Sequence, residues 1–221
     1  MSFKLAFADD ALLVLDKPSG LLSVPGKGED KQDCLSTRVQ LEYPDALIVH
    51  RLDMATSGLI LMARGLKAQR QLSCAFANRE VTKRYRAVVS GRVNPPQSEW
   101  GVIDLPIALD WPRRPVRHID MATGKPSVTH WQIVRNMPCA NSIDFDRSEL
   151  FTQLELEPRT GRSHQLRVHM AALGHPILGD TLYAPFEVQV RSARLLLHAS
   201  KLTFAHPVTG QTMRFDSTPP F

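Results

Sequence analysis

Short apolar runs closed off by turn residues dominate the hydrophobic pattern, and amphipathic helical stripes appear only in short pieces. Ala46-Leu47-Ile48-Val49 and Leu59-Ile60-Leu61-Met62-Ala63 are aliphatic and brief, which predicts buried strands. From Leu150 to Glu157, Leu150, Thr152, Leu154 and Leu156 face one way and Phe151, Gln153, Glu155 and Glu157 the other, the alternation of a half-buried strand. Arg84 to Ser90 and Thr129 to Val134 are also strand-like. Helical spacing aligns Leu35, Val39 and Tyr43 ahead of Pro44, and Ala68, Leu72, Ala75 and Phe76 form a second stripe; both read as core-facing. After Pro158 and Gly161, Ser163 is positioned to cap a third helix that runs to about Leu173 and stops at Gly174. Several adjoining strands are joined too tightly for helical crossovers. The pattern therefore predicts a mixed α+β protein with a largely antiparallel sheet.

The 221 residues are 43% hydrophobic, enough for one sizeable core. No linker, repeat or low-complexity tract divides them, so residues 1–221 are expected to form a single domain. The net charge of +5 points modestly to a polyanionic partner. Arg79, Lys83, Arg84 and Arg86 gather around Tyr85, and Arg113, Arg114 and Arg117 surround Pro112 and Pro115; a solvated face is the plain alternative for each group. No apolar stretch is long enough to span a membrane, and Met1 to Asp10 lacks a signal-peptide pattern. Cys34, Cys74 and Cys139 are odd in number and form no CxxC pair, which suits a reducing cytoplasm better than disulfides or zinc. Cys139 to Ser148 reads as a variable connection. His164 and His169 are not four apart and lack an HExxH context, so no metal is expected. Walker, GxGxxG and GxSxG motifs are all missing, and no cofactor is expected.

Candidate chemistry concentrates in two polar blocks. The first, His50-Arg51-Leu52-Asp53-Met54-Ala55-Thr56-Ser57-Gly58, lies between the two aliphatic runs. A carboxylate on such a turn, held by rigid flanks, is placed for nucleophilic or acid/base work; the plain alternative is an Asp53 that only ties down the turn. The second block, Arg159 to His169, sets Arg159, Arg162 and Arg167 at a strand-to-helix turn and the first turns of a helix. Positive charge there opposes the helix dipole, so an anionic partner explains it better: a phosphate backbone, an aspartate elsewhere in the protein, or both.

These blocks resemble the motifs of the RluA family of pseudouridine synthases. The family's H-R-L-D corresponds to His50 to Asp53, followed by Thr56-Ser57-Gly58. Its apolar strand leading into K-P-x-G is matched by Leu12 to Gly20, and its tyrosine motif by Lys83-Arg84-Tyr85. Gly161 to His169 match the arginine motif, and Gly174 to Asp180 and Leu195 to Ala199 are also similar. The motifs fall in the family's order across nearly the whole chain. Leu21 to Gly26, Asp53 to Gly58 and the Asp104 to Pro112 region are most similar to the short type that modifies both large-subunit ribosomal RNA and certain tRNAs. The N-terminal S4-type RNA-binding domain of some relatives is not expected.

The resemblance implies the pseudouridine synthase fold with a central active-site cleft, and isomerisation of uridines in RNA stem-loops without metal or cofactor. It implies Asp53 as the catalytic carboxylate, acting at C1′, at C6 or through a glycal, with Arg167 keeping it ionised. Tyr85 is implied to stack on the uracil, Leu166 to close the pocket beneath the base, and Arg51 to wedge into the vacated stack. A buried structural arginine is the other reading of Arg51, and His50 is expected to be structural. RNA is the expected partner, a monomer the expected state and the cytoplasm the expected location. Two rivals are a catalytically silent RNA-binding or ribosome-assembly factor, and a hydrolase pairing Asp53 with His198 as base.

Overall fold

The computed structural model describes residues 3–138 and 150–221, so the expected variable connection from Cys139 to Ser148 lies outside the described residues. Along the chain run β1 (Lys4–Ala8), β2 (Leu12–Lys17), α1 (Leu35–Gln40), β3 (Ala46–Ile48), β4 (Ser57–Arg64), α2 (Gly65–Ala77), β5 (Thr82–Ser90) and β6 (Gly101–Asp104). Then follow β7 (Ile107–Leu109), β8 (Arg117–Ile119), β9 (Val128–Pro138), β10 (Leu150–Pro158), α3 (Gln165–Ala172), α4 (Phe186–Gln189), β11 (Leu197–Ala205) and β12 (Thr212–Asp216). They form two compact units: Met1–Lys83 with His198–Phe221, and Arg84–Leu197. Both crossings fall inside strands, β5 and β11, and neither falls in a linker.

In the first unit, β4 pairs with β2 along its length, with β3 at its end and in parallel with β11, which pairs in turn with β12. Both predicted aliphatic strands form here. Strand alternation sends Leu59, Leu61 and Ala63 to one face, where they meet Leu12, Val14, Leu202 and Phe204. Helix α2 covers that layer with Ala68 and Leu72, while Ala75 and Phe76 pack at its border. Leu35 and Val39 of α1 are fully buried, as their spacing predicts.

In the second unit β5, β10, β9 and β6 form an antiparallel sheet, and β7 and β8 a separate hairpin. The expected α+β architecture with a mainly antiparallel sheet is therefore observed. One strand differs from its pattern: β10 is not half-buried, because Thr152 to Glu157 are buried on both faces. The second face is sealed by ion pairs. Glu155 meets Arg84 and Arg86 and accepts from Gln132, and Glu157 meets Arg84 and Arg159, while Arg84 also covers the Trp100 ring. Alternation of polar and apolar residues reports solvent only when the polar face has no internal counter-charge.

Helix α3 begins later than predicted. Its N-cap is His164, in the left-handed region at φ 58°, because the Gln165 side chain turns back to accept from the Arg162 N–H and occupies the place expected of Ser163. Its end is as expected. Gly174 (φ 85°) donates to Ala171 O and His175 to Met170 O, the paired bonds of a Schellman stop.

Candidate active site

Asp53 sits at the middle of a loop whose main chain is pinned from both sides. The segment after β2 reaches across to it. Ser23 Oγ accepts from the Leu52 N–H at 3.1 Å and is 2.7 Å from the Leu52 carbonyl, so it serves both ends of that residue. Lys17 is wholly buried, and its ammonium spends one N–H each on the carbonyls of Pro18 (2.9 Å), Leu21 (2.7 Å) and Met54 (3.1 Å). Gly20 N–H adds a second bond to Met54 O at 2.8 Å, Ser19 Oγ donates to Ala55 O at 2.7 Å, and Thr56 N–H closes the turn on Asp53 O. Residues 52, 54 and 55 are thus held by their backbone, while Asp53 is half-buried and Met54 is 51% exposed.

The flanks are equally fixed. His50 accepts from the Leu61 N–H through Nε2 at 2.9 Å and stacks on Phe76 at 4.4 Å. Accepting through that nitrogen requires a neutral ring with its proton on Nδ1. Burial, with the Lys83 charge adding, drives its pKa down to about 3. His50 is structural, as expected. Gly58 has φ 107°, and a Cβ there would run into the Ala199 backbone of the parallel partner strand. Arg51 is exposed, which removes the reading of it as a buried structural arginine. His198 is 2% exposed, with Nδ1 2.9 Å from Ser57 Oγ and Nε2 3.0 Å from Ser217 Oγ, which itself donates to Asp16. Both ring nitrogens are engaged, so His198 cannot serve the hydrolase rival as a water-activating base.

The remaining expected residues lie in the second unit. Tyr85 is half-buried on β5 opposite Leu156, on the strand face of Ala87 and Val89. Leu166 is buried on α3 at 6% exposure. Arg167, next along the helix, is even more buried at 4% exposure, and Asp180 grips it with two bonds: Nε to Oδ2 at 2.8 Å and Nη2 to Oδ1 at 2.6 Å. Asp180 also accepts from the N–H groups of Leu182 and Tyr183, and the Tyr183 ring lies 5.1 Å from the Arg167 guanidinium carbon. One anionic partner of the arginine block is therefore an aspartate of the protein itself. His169 bonds Thr129 and Leu105 O, and burial pushes its pKa down, so it too is a neutral structural group. Among the described residues no group of three or more His, Cys, Asp or Glu could hold a metal ion, and no helix is long and apolar enough to cross a membrane. Cys34 and Cys74 are free thiols.

This arrangement can be set beside known proteins. Residues 11–172 match the RNA pseudouridylate synthase family. The chain is also 46% identical over 215 residues to the dual-specificity RNA pseudouridine synthase RluA of Escherichia coli strain K12, covering 97% of this chain and 92% of that one. The chain belongs to the RNA pseudouridylate synthase family. The synthase is similarly 48% identical over 203 residues to the RluA of Vibrio parahaemolyticus, covering 92% and 78% of the two chains. Among solved structures, human RNA pseudouridylate synthase domain containing 1 shares 27% identity with a TM-score of 0.79, covering 99% of the synthase and 84% of that chain. Human RNA pseudouridylate synthase domain containing 4, at 23% identity and a TM-score of 0.73, shares the fold.

The familial motifs contain Lys17, Ser19, Ser23 and Asp180 but give none of them a role in holding the synthase's polar loops, and Tyr183 lies outside them. A signal existed for two of them. Lys17 closes an apolar strand, where a charge is out of place unless it is paired. Asp180 follows a glycine with φ 73° and opens an Asx-type turn. Ser19, Ser23 and Tyr183 carry no such mark, because their partners are distant in sequence.

Proposed function

We propose that this synthase isomerises uridines to pseudouridine in stem-loops of large-subunit ribosomal RNA and of a tRNA anticodon arm. The identity to dual-specificity relatives across almost the whole chain supports this substrate range. The observation that carries the catalytic assignment is the pinned Asp53 loop: main-chain bonds on residues 52, 54 and 55 fix the one carboxylate between them. Asp53 traps the sugar or the detached base while the uracil turns and rejoins the ribose through carbon. Breaking one bond and making another within the same nucleotide involves no redox change, so the reaction needs no redox cofactor.

The other residues divide the remaining work. Arg167, oriented by Asp180, supplies the positive charge that keeps the carboxylate ionised in a desolvated site. Tyr85 stacks on the uracil and handles the late proton transfer, and Leu166 supports the base from beneath. Arg51, exposed beside Asp53, enters the gap left when the nucleotide is extruded. The synthase acts as a monomer in the cytoplasm, where its RNA substrates are found.

The test is pseudouridine mapping on unmodified large-subunit rRNA and tRNA transcripts, with chelator present and no cofactor, using wild-type protein and Asp53→Asn. Product from wild type alone, at one site in each RNA, is expected. Salt-sensitive binding of both RNAs without product from either protein would overturn the catalytic reading in favour of an RNA-binding factor.

A further inference from the structure

Tyr183 has no role in the reading above, yet three elements of the second unit converge on it. Its hydroxyl accepts from the Arg117 N–H of β8 at 3.0 Å and lies 2.6 Å from His164 Nδ1 at the start of α3. Its ring lies beneath the Arg167 guanidinium at 5.1 Å, the geometry of a cation–π contact. Its N–H donates to Asp180 Oδ1, the same oxygen that takes Arg167 Nη2.

His164 adds an independent sign that this junction is held for a purpose. It is one of two non-glycine residues with positive φ among the described residues, at 58°, and it starts α3 without a side-chain cap bond. A left-handed start costs free energy that the surrounding contacts must recover. The 2.6 Å bond to Tyr183 is where the side chain recovers it. A cap built on an asparagine or serine would have sufficed to start a helix. The arrangement found here instead ties the helix start to the residue that floors its arginine.

We propose that Tyr183 is a positioning residue for Arg167: its ring sets the plane of the guanidinium, and its hydroxyl locks the start of α3 to strand β8. The proposal rests on the assignment of Arg167 to the reaction. Asp180 holds the two nitrogens on one edge of the guanidinium and Tyr183 supports its face, so rotation about the Asp180 bonds is blocked. Loss of the hydroxyl leaves the ring in place but frees the helix start. Loss of the ring as well removes the support on the guanidinium face and leaves the Asp180 bonds on its edge.

Single-turnover rates at saturating RNA, RNA dissociation constants and thermal midpoints test this for Tyr183→Phe, Tyr183→Leu and His164→Asn. Asparagine tolerates the left-handed region, so the last variant removes the bond from its other end without adding strain. A drop of about tenfold in rate is expected for Tyr183→Phe and for His164→Asn, and about a hundredfold for Tyr183→Leu, with RNA binding changed by less than about threefold. In an Arg167→Ala background Tyr183→Phe should have no further effect. Wild-type rates for both Tyr183→Phe and His164→Asn, or full additivity with Arg167→Ala, would overturn the proposal. Retention of activity by Arg167→Ala itself would instead refute the assignment of Arg167 on which it rests.

Discussion

Replacing Lys17 with methionine separates the clamp on the Asp53 loop from the chemistry of Asp53. Methionine fills nearly the same volume and removes the cost of keeping an ammonium out of water. It also strips the donor from three carbonyls, those of Pro18, Leu21 and Met54. Met54 O retains the Gly20 N–H at 2.8 Å, so the cost falls chiefly on the carbonyls of Pro18 and Leu21. At about 1–3 kcal/mol per unsatisfied buried group, and allowing for the relieved desolvation, the net loss is about 3 kcal/mol. For a chain of this size that lowers the thermal midpoint by about 6–12 °C. The catalytic effect follows from geometry. A loop free to shift by an ångström at Met54 moves the neighbouring carboxylate by a similar amount, and such a displacement costs on the order of a hundredfold in rate. Calorimetry and single-turnover assays below the new midpoint measure the two losses separately. A midpoint within 2 °C of wild type, or an unchanged rate per folded molecule, would refute the clamp.

Asp180→Asn keeps the shape of an Arg167 partner but removes the charge that takes two bonds from the buried guanidinium. A loss of about 3 kcal/mol in denaturant unfolding is expected, together with a slower reaction. Gly58→Ala should destabilise by at least 2 kcal/mol in the same assay, because the new methyl meets the Ala199 backbone and the φ of 107° is strained for alanine. His50 is held neutral in the fold with a pKa near 3 against about 6.5 unfolded, so the unfolded chain takes up the proton first as the pH falls. Stability should therefore drop from pH 6.5 toward pH 3 by up to about 1.4 kcal/mol per pH unit, and His50→Gln, whose amide oxygen can take the Leu61 bond without titrating, should flatten that slope in midpoint-against-pH measurements.

Elements whose burial is uniform were readable from the chain. The aliphatic runs of β3 and β4 and the apolar faces of α1 and α2 announce themselves, because every residue on a buried face is apolar there. Gly174 announces the end of α3 for a similarly local reason: few residues but glycine accept its φ. What failed to show depends on partners far along the chain. The polar face of β10 looked wet because the arginines that neutralise it belong to β5. The start of α3 was misplaced because a glutamine two residues after Ser163 outcompeted the serine. In the site, the motif carrying Asp53 was visible, whereas the lysine and serines that immobilise it lie some thirty residues upstream and bond only its main chain. Short strands such as β7 and β8 offer only three residues each, too few for alternation to be recognised.

The bonds from Lys17, Ser19, Gly20 and Ser23 to residues 52, 54 and 55 end on carbonyls or an N–H of those residues. The identity of the residues beside the carboxylate is thereby decoupled from its placement. Met54 is half exposed and is held through its carbonyl, so its side chain can be exchanged without touching the bonds that hold the loop. For a designer, position 54 is a place where the side chain can be varied while the main-chain bonds of the loop are kept.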